Sequence, residues 1–109
     1  MRRGDLVIVA APGDYGKPRP AVIILRNSIV TDHSSISFCQ FTTTINASLA
    51  FRVTIEPSAE NGLKLRSQIM ADKPLTVLRH RVGPIIGHLS ELDILRLNGA
   101  LAFVLGLSD

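Results

Sequence analysis

Apolar positions fall in short, dense runs separated by Gly, Pro, Asn and Asp, and this spacing predicts strands over most of the chain. Leu6-Val7-Ile8-Val9-Ala10 is rich in β-branched residues and predicts a buried strand. Pro12, Gly13, Gly16, Pro18 and Pro20 punctuate the loop that follows. Ala21-Val22-Ile23-Ile24-Leu25 predicts a second strand, Asn27-Ser28 and Thr31-Asp32-His33 a connection, and Ile36 to Phe41 a third strand. From Ala50 to Ile55 the residues alternate, with Phe51, Val53 and Ile55 on one face, until Glu56-Pro57 ends the run. Asn61-Gly62 is a turn signal. Two short strands are predicted at Gln68–Ala71 and Leu75–Leu78, then a break at Gly83-Pro84 and a last strand at Ile85-Ile86.

The tail changes period. Ser90 is a candidate N-cap, with Asp93 completing a weak capping box, and a helix is predicted from about Glu91 to Leu105 with Gly106 as its C-cap. Ile94, Leu97, Leu101 and Val104 form one stripe, which Leu92, Leu95, Ala102 and Leu105 broaden. That surface is wider than one side of a small barrel would cover, so the excess predicts burial against a second subunit. The fold class is therefore mainly β (β+α): a small, strongly curved, SH3-like β-barrel or half-barrel of short strands with a C-terminal α-helix.

Composition narrows the picture. Residues 1–109 fit a single domain, and 46% hydrophobic against 19% charged residues is enough to bury a core. With no Trp and one Tyr, that core rests on Leu, Ile, Val and four Phe. The net charge of +3 suits an anionic partner, and nine Arg against three Lys favour phosphate recognition, although codon bias gives the same excess. A single cysteine, Cys39, cannot form an internal disulfide or a Cys-rich metal site and fits a reducing cytosol. Neither a signal core nor a run of about 18 apolar residues is present, so a cytoplasmic location without a membrane span is expected. No metal or other cofactor is expected, because His and carboxylates show no ligand spacing.

The segment richest in chemistry runs from Gly13 to Ile24. A Gly-containing loop feeds a strand whose entrance carries Pro18 and Pro20 on either side of Arg19. Both prolines restrict the backbone, so the guanidinium is presented to a phosphate at low ordering cost. An equally physical alternative is an Arg that caps loop carbonyls or pairs with Asp5 or Asp14.

Arg3-Gly4-Asp5-Leu6-Val7 followed by Gly16-Lys17-Pro18-Arg19-Pro20-Ala21-Val22-Ile23 resembles the opening of the MazF/PemK family of toxin ribonucleases. Phe41-Thr42-Thr43-Thr44 resembles that family's Thr-Thr-Gln segment, and Phe51-Arg52-Val53 its next strand. The stretch from Ser67 to Val77 resembles its segment with an acidic residue, here Asp72. Ile86-Gly87-His88-Leu89-Ser90 resembles the lead into its terminal helix. The resemblance implies a CcdB/PemK-type fold and a growth-inhibiting toxin of a toxin–antitoxin pair. It also implies metal-independent, sequence-selective cleavage of single-stranded RNA or mRNA through a 2′,3′-cyclic phosphate. The implied partners are the RNA substrate, a cognate antitoxin and a second copy of the chain.

By the same resemblance Arg19 is the main catalytic residue and Thr42 its hydrogen-bonding partner, with Thr43 as runner-up because it points to the opposite face. Asp14, Tyr15, Lys17, Thr43, Thr44, Arg66, Ser67, Asp72 and Lys73 are the implied RNA-contacting residues. Three features differ from the family pattern: a shorter loop before Arg19, Thr44 after the Thr pair, and Lys73 after the acidic residue. These bear on the RNA sequence cut more than on the chemistry.

A histidine pair would be a rival acid–base solution. His80 lies between Arg79 and Arg81, His33 lies in a polar loop, and His88 is placed for a local hydrogen bond before the helix. Lys64, Arg66, Arg79 and Arg81 read either as a phosphate track or as a solvated face. The other function classes are a non-enzymatic CcdB-like gyrase-binding toxin and a family member that binds without cutting. A CcdB-type chain ends in Trp-Gly-Ile, whereas this one has no Trp and ends Leu107-Ser108-Asp109.

Overall fold

The computed structural model describes residues 1–13 and 17–107. Among the described residues there are six strands: β1 (Asp5–Val9), β2 (Arg19–Ile23), β3 (Ser35–Thr42), β4 (Arg52–Ile55), β5 (Ser67–Leu78) and β6 (Val82–His88). They form one antiparallel sheet in the order β4-β5-β3-β2-β1-β6. The sheet is not closed, so the architecture is the half-barrel of the two expected forms. A single helical turn, α1 (Asn27–Val30), follows β2, and the helix α2 (Glu91–Val104) ends the fold.

Strand alternation explains why the early runs are apolar at every position. In β1, Leu6 enters a core under α2 with Val22, Cys39, Phe41, Ile69 and Leu97. Val7 and Val9 enter a second core with Ala21, Ile23, Val30, Ile36 and Phe38. A strand buried on both faces has no polar side to show.

Three expectations about elements need correction. Asn27-Ser28 is not a plain connection but opens α1, whose Val30 is buried in the second core. Gln68–Ala71 and Leu75–Leu78 are one continuous strand, β5. Pro74 is tolerated within it because β4 pairs only with Ser67–Met70, leaving that side of the strand without a partner. Gly83-Pro84 does not break the chain either. It lies within β6 on the sheet edge, where the register against β1 shifts, and a Cβ at Gly83 would meet the Ile8 carbonyl at 2.4 Å.

The Asn61-Gly62 turn forms as predicted, with Gly62 at φ +71°. A Cβ there would lie 2.1 Å from the Ile86 carbonyl oxygen, so the β4–β5 connection packs backbone to backbone against β6. The His88 N–H donates to the Glu60 carbonyl across the same contact at 2.9 Å.

In α2, Ser90 Oγ accepts the Asp93 N–H at 3.2 Å, but the Asp93 carboxylate turns to Arg96 at 2.8 Å, so only half of the expected capping box forms. Gly106 at φ +72° ends the helix in a Schellman arrangement, with Leu107 N–H on Ala102 and Gly106 N–H on Phe103. Leu97, Ala100 and Leu101 are buried, with α2 set against β4 and β5. Leu92 and Leu95 remain 67% and 66% exposed, so the outer part of the apolar surface is uncovered in the single chain. No described helix is long and apolar enough to cross a membrane.

Candidate active site

Adjacent strands β2, β3 and β5 build a groove of about 310 Å³. Arg19 and Pro20 come from the start of β2, and Lys17 from the loop before it. Phe41 and Thr42 come from the end of β3, with Thr43 and Thr44 just beyond, and Ser67 opens β5. The antiparallel pairing accounts for this convergence, because β2 starts where β3 ends and β5 begins beside that end. Six of the residues implied by the resemblance, Lys17, Arg19, Thr42, Thr43, Thr44 and Ser67, therefore line one groove.

The hydroxyls in this wall differ in what they can offer. Thr42 Oγ1 accepts the Thr44 N–H at 3.1 Å, which leaves its own proton to donate. Ser67 Oγ donates to the Leu65 carbonyl at 2.9 Å and so presents lone pairs. Arg19 is half-buried and Lys17 exposed. A guanidinium, an ammonium and a donating hydroxyl suit an oxyanion of a phosphodiester. An apolar hollow of about 460 Å³, walled by Leu63, Leu65 and Ile86, shares Pro20, Thr43 and Ser67 with the groove and has Lys64 beside it.

The remaining candidates lie elsewhere. Asp14 and Tyr15 are outside the described residues. Arg66 pairs with Glu56 at 2.8 Å on the surface and does not line the groove. Lys73 is exposed. Asp72 sits beside the β3–β5 register shift, its Oδ1 3.5 Å from Arg52 Nε, and both of those atoms are buried without a hydrogen bond. The phosphate-track reading weakens, since Arg79 donates to the Val30 and His33 carbonyls. Asp5 is not a partner for Arg19. It binds His88 Nδ1 at 2.7 Å and the Arg2 N–H at 2.8 Å. The His88 bond thus ties β6 to its neighbour β1 rather than being local in sequence, and none of the three histidines lines the groove.

Cys39 is fully buried beneath this region. Burial, reinforced by Asp72 and opposed by Arg3, pushes its thiol up to about 12. Burial also lowers the Arg3 guanidinium from its ordinary value. Among the described residues no group of three or more His, Cys, Asp and Glu side chains is placed to hold a metal ion.

One residue that the sequence reading passed over stands next to the site. Gln68 is paired with Thr42 across β3–β5 and with Thr54 across β4–β5. Its only sequence signal was a polar residue inside an apolar strand run, and its 2% exposure was not foreseeable from that.

Fold and groove together define a small, open-sheeted β-domain with a cleft between interior strands lined by Lys17, Arg19 and hydroxyl groups. Residues 2–105 match the family described as "PemK-like, MazF-like toxin of type II toxin-antitoxin system", and the chain belongs to that family. It is 38% identical over 109 residues to the probable endoribonuclease MazF of Mycolicibacterium smegmatis, covering 99% of both chains. An endoribonuclease in complex with its cognate antitoxin from a Mycobacterial species shares the fold, with a TM-score of 0.85, 22% identity, and coverage of 100% of this chain and 98% of that one. A MazE–MazF structure from Deinococcus radiodurans does so with a TM-score of 0.78, 19% identity, and coverage of 99% and 98%. The family match favours the ribonuclease class over the gyrase-binding one.

Proposed function

We propose that this MazF-type toxin endoribonuclease cleaves single-stranded RNA in the β2–β3–β5 groove without a metal ion, using Arg19 and Thr42 as catalytic residues. The observation that carries the reading is that both line one groove, together with four further hydroxyl or cationic residues. The ribose 2′-oxygen attacks the adjacent phosphorus and gives up its proton. The bond to the 5′-oxygen breaks, and that oxygen takes up a proton. The products are a 2′,3′-cyclic phosphate and a 5′-hydroxyl end. Negative charge concentrates on the non-bridging oxygens as the new bond forms, and the Arg19 guanidinium and the Thr42 O–H donate to them.

Lys17, Thr43, Thr44 and Ser67 contact RNA within the groove, with Asp14 and Tyr15 added from the preceding loop. Arg66 and Lys73 engage phosphates beyond it. Asp72, 3.5 Å from Arg52 and outside the groove lining, contributes to RNA recognition indirectly. The uncovered apolar face of α2 is buried in a homodimer. A cognate antitoxin covers the groove in the cytoplasm and competes with RNA for the same cations, so its binding weakens as salt rises.

The test is a long single-stranded RNA incubated with the purified protein in EDTA, followed by mapping of the cut ends. Cyclic phosphate ends are expected, and Arg19→Ala should lower the rate by about 10²–10³ while remaining folded. Cutting that stops in EDTA and returns with Mg²⁺, or a folded Arg19→Ala variant with unchanged activity, counts against the mechanism.

A further inference from the structure

We propose that Gln68 is a positioning residue for the threonine wall of the groove, an inference that rests on the RNA-cleaving reading above. Gln68 does not line the groove and is 2% exposed. Thr42, Gln68 and Thr54 stand abreast on β3, β5 and β4, on one face of the sheet. The Gln68 carboxamide uses both of its ends. Oε1 accepts the Asn46 N–H at 3.0 Å, and Nε2 donates to Thr54 Oγ1 at 3.1 Å.

The first of these bonds fixes the wall. After Thr42 the chain leaves β3 and turns through Thr43 and Thr44. At the near end the turn is held by the Thr44 N–H on Thr42 Oγ1. At the far end it is held by Asn46, whose N–H is taken by Gln68 and whose Oδ1 accepts from Ser48 N–H and Oγ. The two threonines that face RNA are thus suspended between two hydrogen bonds, one supplied by a side chain locked in the sheet. The Asn46 N–H can only donate, so it selects the carboxamide oxygen and leaves Nε2 to donate to Thr54 Oγ1. Substrate therefore meets a preformed wall and does not have to order it.

Gln68→Met keeps the length and removes both hydrogen bonds. Its expected effect is a KM raised about tenfold, kcat within about threefold of wild type, blurred cleavage-sequence selectivity, and faster amide exchange at Asn46. Gln68→Glu keeps an acceptor for the Asn46 N–H and should restore most of the KM. Thr54→Val, which leaves the Asn46 bond in place, should stay near wild type in KM and selectivity. Unchanged KM and selectivity in Gln68→Met overturns the proposal, as does lost stability or kcat with KM untouched. If Gln68→Met does not fold, wild-type amide exchange decides. Asn46 protected to the level of β5 supports the clamp, and exchange as fast as that of an open loop overturns it. A wild-type protein that leaves RNA intact refutes the nuclease reading instead, and the exchange measurement still tests the clamp.

Discussion

Asn61 is 4% exposed, and its side chain makes three hydrogen bonds within the β4–β5 connection. Its Oδ1 accepts the N–H of Ser58 at 3.0 Å and of Leu63 at 2.9 Å, and its Nδ2 donates to the Glu56 carbonyl at 2.8 Å. Asn61→Ala removes all three bonds. At a net contribution of about 0.5–1.5 kcal/mol each, the loss would reach about 4 kcal/mol if nothing replaced them. Ser58 and Glu56 are exposed, so water takes over their partners, whereas Leu63 is buried and its N–H is left unpaired. The expected loss is therefore about 2–3 kcal/mol, which for a chain of this size lowers Tm by about 10 °C. Denaturant titration followed by far-UV circular dichroism gives the free energy, and a thermal scan gives Tm. Asn61→Asp retains the two acceptor contacts and should fall between wild type and Ala. An Ala variant within about 0.5 kcal/mol of wild type would show that the carboxamide does not hold this turn together, and the reasoning would fail.

Cys39 makes stability fall in alkali. Its folded-state pKa is raised, so the unfolded chain loses its thiol proton first, and the stabilisation present below about pH 8.5 is lost as pH climbs toward 12. The expected slope is about 1.4 kcal/mol per pH unit, and Cys39→Val should lack it; identical pH profiles for the two proteins would exclude this. Leu95→Glu, on the exposed face of α2, should give a monomer in light scattering at micromolar concentration while remaining folded, and an unchanged dimer mass would place the interface elsewhere.

Local chemistry made much of the fold legible. The β-branched runs, the Asn61-Gly62 turn, Ser90 and Gly106 each name their own conformation, although the second strand runs Arg19–Ile23 and not Ala21–Leu25. Pro74 and Gly83-Pro84 misled because their tolerance depends on which neighbour is missing, a property of the sheet order and not of the residues. Arg19 and Thr42 could be read through resemblance, since both lie at strand ends with distinctive neighbours. Gln68 could not, because its position comes from a register that moves five residues along β5 for two along β3, between the pairs Cys39–Pro74 and Phe41–Ile69. Asp72 lies within the same shifted stretch, 3.5 Å from Arg52 and outside the groove lining, a placement that no local signal announces.

The groove is made from β2, β3 and β5, each of which has a strand on both sides over at least part of its length. Walls tied into a ladder in this way cannot be swung apart by a contact at the sheet edge without unpairing neighbours. The strand part of the site therefore has no hinge of its own, and control by occlusion is the mode we expect. In kinetic terms, the onset of activity is then set by how fast the covering molecule leaves and how much of it remains to return.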